Sequence, residues 1–409
     1  MIFVGDWVPG TKQGILKVER DSTIFLANLE GPLLQADHRF SPTAKAGPSL
    51  FSVSLAETNH SFVFALANNH IMDYGKAGLR ATQEVLNQRK TPYMGAGFSQ
   101  DEARRPLIIE EQGKRLGIIS CCEAQFGVAH LDSHGVAEMG PWLYTAIDLL
   151  KRETDAVIIS VHAAVEDSPW ASPRLQDFYR SLINAGASVV HGHHAHVPQG
   201  IETYNDGIIM YGLGNFLVDP AKWYQTPNAL WSLGVEIDFN QNPFQAKTLV
   251  FEIDKDIQRD VCSVCECSEE NQAQYTRYLA LCNLPLKNRL LLEALWQETA
   301  LRAFLSYAAG YMGFPGVGSQ RHAIKPYLRF IKGKCINMVR SLAKVPIKQF
   351  SQANYLLWHL MFACESHRDT LATALGVLGG EIQDLRTEET RQMADELMPW
   401  SVGSTNGGL

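Results

Sequence analysis

The amino-acid sequence predicts an α/β fold followed by a helical region, on three observations. Short β-branched runs alternate with segments of helical spacing up to about residue 254, and several of those runs stop at polar side chains. Beyond about residue 268 the texture turns rich in Leu and Ala, with no strand-like run. The expected division is therefore an α/β domain over 1–254 and a helical region over 268–400.

With 409 residues, 46% of them apolar, and a formal charge of -7, the chain suits one large domain and a smaller one. Mild acidity excludes general nucleic-acid binding, which needs a basic footprint. No apolar run reaches the roughly 18–20 residues of a membrane span, and none resembles a signal-peptide core, so the expected location is cytoplasmic. Eight cysteines set out no disulfide framework, because Cys121 and Cys122 are adjacent and Cys262, Cys265 and Cys267 are clustered.

Taken in order, Ile2-Phe-Val reads as a strand that stops at Gly5-Asp6, leaving a carboxylate at its C-terminal edge, where open α/β sheets place ligands. Thr23 to Ala27 runs into Asn28-Leu-Glu30-Gly, and Ser61 to Ala67 into Asn68-Asn-His-Ile-Met-Asp73-Tyr-Gly75. From Lys76 to about Arg89, Leu79, Val85 and Leu86 give an amphipathic helix. Pro106–Glu110 and Arg115–Ser120 read as a hairpin, Thr145 to about Arg152 as a helix, and Asp155–Val161 as a buried strand with His162 at its end. Pro173–Ala185 has helical spacing and Gly186 to end it. Ser188-Val-Val then opens a turn carrying His191, His193, His194 and His196. A hairpin follows over 200–211, then Gly212-Leu-Gly-Asn215-Phe, and strands over Trp231–Phe239 and Ala246–Ile253 finish the sheet.

Five strand ends thus offer Asp6, Glu30, Asn69 with His70, His162, and His194 with His196. Carboxylate, amide and imidazole together suit two divalent metal ions, such as Mn, Fe or Zn, with Glu30 as the natural bridge. Such a pair activates water for ester hydrolysis. His70 is placed to protonate a leaving oxygen and Asp73 to orient its ring. Asn28, His193 and Asn215 are candidates for supporting hydrogen bonds, although Asp6, Asn28 and Asn215 taken singly also read as turn residues that bond their own backbone.

The motifs Gly5-Asp6, Asn28-Leu-Glu30, Asn68-Asn-His-xx-Asp73-x-Gly75, His162-xxx-Glu166, Gly192-His-His-Ala-His196-Val and Gly212-Leu-Gly-Asn-Phe216 resemble the bacterial capsule-synthesis CapA family. That family, also called poly-γ-glutamate biosynthesis proteins, is a branch of the calcineurin-like metallophosphoesterases, and the likeness spans about residues 1–253. It implies a four-layer α-β-β-α sandwich with the metal site at the sheet edges. It assigns Asp6 and His196 to one metal, Asn69, His162 and His194 to the other, Glu30 to the bridge and His70 to the general acid. Three departures stand out. Val8 occupies the position of a superfamily histidine, which leaves the first metal a ligand short; Glu30 stands where the broader superfamily has Asp; and Ala163-Ala164 replaces Trp-Gly, with Glu166 retained as a substrate-side residue. The N-terminal membrane segment frequent in the family is also absent from this sequence.

The implied function is a metal-dependent phosphoester hydrolase in capsule or exopolymer biosynthesis, acting on a phosphoester or anionic polymer. Two alternatives stay open: a metal-stabilised binding or assembly subunit of a membrane polymer synthase, and an amide hydrolase acting on the polymer. Cys262-Ser-Val-Cys-Glu-Cys267 resembles half of a zinc site without a partner pair. Residues 320–364 carry no Asp or Glu while Arg321, Lys325, Arg329, Lys332, Lys334, Arg340, Lys344 and Lys348 interleave with apolar residues. That pattern reads as a solvated helix face, with peripheral docking on an anionic membrane as the second reading.

Overall fold

The computed structural model describes residues 1–409 except 21–22, 35–39, 44–47, 57, 224, 242, 311–351 and 400–409. Its strands are β1 (Ile2–Val8), β2 (Gln13–Lys17), β3 (Ile24–Leu29), β4 (Ser61–Ala65), β5 (Tyr93–Met94), β6 (Ala96–Gly97), β7 (Leu107–Glu111), β8 (Lys114–Cys122) and β9 (Gly135–Val136). They continue with β10 (Ala156–His162), β11 (Val189–His193), β12 (Ile201–Tyr204), β13 (Gly207–Met210), β14 (Asn215–Val218), β15 (Trp231–Asp238), β16 (Gln245–Ile253) and β17 (Val261–Glu266). The helices are α1 (Gly75–Gln88), α2 (Gln100–Ala103), α3 (Trp142–Leu150), α4 (Pro173–Ala185), α5 (Pro220–Trp223), α6 (Glu269–Asn283), α7 (Arg289–Gly310), α8 (Gln352–Ala363), α9 (Glu365–Gly379) and α10 (Glu388–Leu397).

Two sheets face each other. One runs β2-β17-β16-β15-β1-β3-β4-β5, with β14 also on β1, and the other runs β12-β13-β11-β10-β8-β7. Alternation along each strand sends neighbouring residues to opposite faces, which builds three apolar layers from the same strands. Phe3, Leu26 and Val63 meet Ile118, Ile158, Val189 and Ile208 between the sheets. Ile2, Val4, Phe25 and Phe64 turn outward onto Leu79 and Leu86 of α1. On the other outer face, Ile119, Val157, Ile159 and Val190 pack on Leu143 and Ile147 of α3 and on Tyr179 and Leu182 of α4. The result is the expected α-β-β-α sandwich. Full burial of each such side chain contributes about 1.5–3 kcal/mol.

The helical region is continuous with this core. Tyr278, Cys282, Leu295, Met393 and Leu397 close one end of the inter-sheet layer. Trp296, Ala300 and Phe304 of α7 join Met361 and Leu371 in a separate cluster that takes in Val165, just beyond β10.

Two expectations change. β1 does not stop at Asp6 but continues to Val8, because β14 pairs with it from Asp6 to Val8 across a bulge between Asp6 and Trp7. The hairpin β7–β8 forms as expected and belongs to the second sheet, through parallel pairing of β8 with β10. The sandwich also runs past 254: β17 pairs with β16 and with β2, so the clustered cysteines lie on and just after a strand. Cys262 and Cys265, three apart on that strand, face opposite sides; their Sγ atoms lie 3.7 Å from Gln13 O and 3.8 Å from Glu252 O. Most of the basic stretch over 320–364, including Arg321 to Lys348, lies outside the described residues.

Candidate metal centre

The parallel strands of both sheets deliver their C-terminal ends to one edge. In register, Asp6 lies beside Asn28 on β3 and Asn215 on β14, while His162 lies between Cys122 on β8 and His193 on β11. Glycine makes two of these approaches feasible. A Cβ on Gly5 would stand 1.7 Å from Gly214 O, and one on Gly192 would stand 2.1 Å from Tyr211 O. Beyond β11 the backbone takes positive φ at His194 (85°) and His196 (58°), a conformation that side-chain-bearing residues avoid and that marks functional turns.

Asp6 anchors one half of the site. Its Oδ1 accepts from Asn28 Nδ2 at 2.9 Å and meets His193 Nδ1 at 3.1 Å, while Oδ2 lies 3.4 Å from His196 Nδ1. Asn215 Nδ2 donates to Ala229 O, which turns its Oδ1 toward His196 Nδ1 at 3.0 Å. Trp223 covers the outer side of His196, ring centroids 4.3 Å apart.

His162 anchors the other half. Asn28 Nδ2 lies 3.3 Å from its Nδ1 and Asn69 Oδ1 3.0 Å from its Nε2, so amides bracket both ring nitrogens. The His194 ring stands 4.5 Å away, centroid to centroid. Glu30 lies between the halves, with Oε1 3.5 Å from His196 Nε2 and 3.8 Å from His162 Nε2. Asn68 supports the floor: its Nδ2 donates to Asn28 Oδ1 and Leu29 O, and its Oδ1 caps the backbone N–H groups of His70 and Ile71.

His70 and Asp73 form a separate pair beside Asn69. Asp73 Oδ2 lies 2.7 Å from His70 Nδ1 and also accepts from Leu50 N at 2.7 Å. This contact fixes the ring so that Nε2 is directed away from Asp73. Glu166 is reached by solvent although protein crowds it, and burial tends to raise its carboxyl. The imidazoles of His194, His196, His70 and His367 outweigh that and hold it below the ordinary range.

Glu123, Gln125, Trp223 and His367 were not read from the sequence as site residues. Gln125 Nε2 lies 2.8 Å from His194 Nε2 and donates to Glu123 Oε1 at 2.7 Å. Glu123 Oε2 in turn accepts from Ser366 N of α9 at 2.9 Å, which ties the helical region to the site. Glu123 follows β8 directly, so the strand-end rule applied to Asp6 and Glu30 would have found it. Nothing local marks His367, which comes from a helix more than 200 positions downstream of His162.

The electrostatics favour a cation. Burial pushes His194 down to about 3 and holds His162 well below its usual range, so both rings present lone pairs at neutral pH. His196 is buried too, yet Glu30 and Asp6 hold it well above. Burial would raise Asp6, but hydrogen bonds from His193 and His196 keep it well below. Burial raises Glu123 to about 7. Two carboxylates, each at most 1% exposed, thus share a pocket with imidazoles. Buried polar groups of this kind require pairing or a metal.

The side chains fit a divalent ion. One ligand atom each from Glu30, His194 and His196 lies within 4.8 Å of the others. His194 Nδ1 and His193 Nε2 are buried without a hydrogen-bond partner among the described residues. Oxygen and imidazole donors are the set used by Zn, Mn and Fe sites. The structure therefore brings Asp6, Asn28, Glu30, Asn69, His162, His193, His194, His196 and Asn215 into one contact network, with His70 and Asp73 adjoining it and Glu166 at its solvent side.

Comparison with known proteins bears on this region. The family model described as bacterial capsule synthesis protein PGA_cap matches residues 11–220. That span holds every residue of the network except Asp6. A capsule biosynthesis protein CapA of Bacillus anthracis is 28% identical, over 51% of this chain and 54% of the relative. A PGA biosynthesis protein CapA of Bacillus subtilis is 30% identical over 43% and 47%. A probable polyglutamine synthesis accessory protein of Mycobacterium tuberculosis is 33% identical over 38% and 45%. The chain spans about half the length of the curated relatives it matches.

Proposed function

The chain belongs to the bacterial capsule synthesis protein PGA_cap family, and on that premise we propose that it is a metal-dependent hydrolase of a phosphoester in capsule or exopolymer synthesis. The observation that carries this reading is the approach of Glu30, His194 and His196 ligand atoms to within 4.8 Å, with the His70–Asp73 pair alongside. Asp6, His196 and Glu30 would hold one ion and Asn69, His162, His194 and Glu30 a second, the identities being Mn, Fe or Zn. Divalent cations held there supply Lewis-acid activation of a phosphoryl group and of water.

The chain's own residues supply the rest. His70 carries the proton for the leaving oxygen at Nε2, and Asp73 stabilises the ring when both nitrogens are protonated. Glu166, at the solvent side, orients or repels substrate groups. In this reading the substrate is a phosphoester or anionic polymer intermediate and the partner is membrane polymer-synthesis machinery; the relatives' names speak of capsule and PGA biosynthesis alone. No helix among the described residues is long and apolar enough to cross a membrane.

Burial favours a second reading. Glu30, His194 and His196 are no more than 3% exposed, which suits a metal-stabilised binding or assembly subunit as well as an enzyme. Metal analysis of protein purified without chelators, together with hydrolysis of bis(p-nitrophenyl) phosphate and of a γ-linked glutamyl amide, separates the readings. The hydrolase predicts that His70→Ala keeps its metal but loses ester turnover, while Glu30→Ala loses both. Bound metal with no turnover of the ester points to the binding subunit, and cleavage of the amide alone to the amide hydrolase.

A further inference from the structure

A cavity of about 280 Å³ opens on the outer face of the first sheet, across β1 and β4 from the layer between the sheets. Strand alternation sends Trp7, Phe62 and Phe64 outward together, and Leu55 joins them in a floor no more than 8% exposed. Phe62 and Phe64 lie 11° from parallel with centroids 5.5 Å apart, and the Trp7 ring stands across them at 74° and 80°. Polar groups come at the mouth: Thr58, His60 and Thr91 are half-buried, and Arg89, which ends α1, is exposed. His60 Nε2 donates to Val18 O at 2.8 Å, so that N–H is spent within the fold. No described lining residue is acidic, and the Arg89 guanidinium pairs with no carboxylate among the described residues. A packing void is apolar throughout, whereas this lining grades from aromatic rings to a cation.

We propose that this cavity binds a small aromatic carboxylate, with its ring against Trp7, Phe62 and Phe64 and its carboxylate on the Arg89 guanidinium. An apolar cavity of roughly 150 Å³ already admits benzene, so there is space here for one ring and a short arm. Ring faces and edges offer offset and T-shaped contacts that an aliphatic chain does not reproduce. A guanidinium takes a carboxylate through two parallel N–H···O bonds, which gives direction as well as charge. The same cation repels an aromatic amine, to which no described lining residue offers a counter-charge. The inference rests on residues that the hydrolase reading does not use, so either can fail alone.

Calorimetric titration of the full chain after dialysis against EDTA tests it, the chelator keeping carboxylates from binding through a metal. The probes are benzoate, phenylacetate, 3-phenylpropionate, hexanoate and 2-phenylethylamine. At least one of the three aromatic acids should bind saturably with a Kd below about 1 mM, and hexanoate and 2-phenylethylamine at least about tenfold more weakly. Arg89→Gln, which changes an exposed side chain, should weaken the aromatic acid about tenfold, and Arg89→Glu should turn the preference toward the amine. Phe62→Leu should narrow the gap between the aromatic acid and hexanoate. The proposal is overturned if no aromatic acid binds, if hexanoate or the amine binds as well as the acid, or if Arg89→Gln binds like the parent. An unchanged gap in folded Phe62→Leu overturns it too; should that variant fail to fold, the two Arg89 variants decide.

Discussion

Asn28→Ala removes an amide that touches both halves of the metal centre. Asn28 is fully buried and donates to Asp6 Oδ1 at 2.9 Å, approaches His162 Nδ1 at 3.3 Å and accepts from Asn68 Nδ2 at 3.0 Å. The bond to the carboxylate is charge-assisted and contributes about 1.5–3 kcal/mol. The bond from Asn68 is partly backed up by Leu29 O at 2.8 Å, so its loss costs only about 0.5–1 kcal/mol. The expected loss of stability is therefore about 2–4 kcal/mol in metal-free protein, read as a lower midpoint in urea at unchanged slope. Supporting partners of this kind typically tune metal affinity about 10–100-fold, and because Asn28 orients one candidate ligand of each ion, affinity should fall by that much. Chelator-competition titration of Mn or Zn reads it directly. A variant that loses stability yet binds metal like the parent would refute the reasoning, because Asn28 would then be a core hydrogen-bonder with no hold on the ligands.

Three further outcomes are expected. Gly5→Ala places a Cβ 1.7 Å from Gly214 O, so β14 cannot stay on β1; destabilisation of about 3 kcal/mol or more should show as loss of soluble protein, and a well-folded Ala variant would contradict the pairing. Asp167, whose carboxyl burial raises to about 6 from the ordinary 3.8, carries stability that is complete below pH 3.8 and lost as pH rises through 6. Asp167→Asn should match the parent near pH 4 and exceed it by up to about 2–3 kcal/mol at pH 8; an equal difference at both pH values would sink that assignment. Glu123→Ala removes the acceptor for both Gln125 and Ser366 N, and should loosen α9 and weaken metal binding together. Hydrogen exchange at Ser366 and a metal titration check it, and a change in neither would show that the link is idle.

Much of the sandwich was legible because its signals are local. Pro173–Ala185 forms α4 as expected, with Ser172 accepting from Leu175 N at the start and Gly186 in the left-handed region at the end. A glycine or capping serine acts within one turn, so reading it requires no knowledge of the rest of the chain. Glu30 and His162 were visible at strand ends for a similar reason, since a β-branched run that stops at a polar residue places that residue at a sheet edge; the same rule picked out Asp6, although β1 runs on to Val8, and Asn69, which lies four residues beyond β4.

Pairing was the harder part. β14 seats itself on β1 through a bulge at Asp6, and β17 comes back between β16 and β2; both depend on partners far along the chain, which periodicity does not reveal. The cysteines of β17 attracted a metal reading because their spacing was considered without the strand that separates their faces. The contribution of α9 to the site was illegible for the same reason, since Ser366 and His367 reach Glu123 and Glu166 only through tertiary packing of the helical region.

Anomalous diffraction from crystals grown with Mn or Zn tests the central claim most directly. The account predicts a peak bonded to Glu30, His194 and His196 at roughly 2.0–2.3 Å, with a second within about 4 Å of it on the Asp6 or His162 side. An ion that binds elsewhere, or a Glu30 carboxylate that stays unligated at saturating metal, would contradict it.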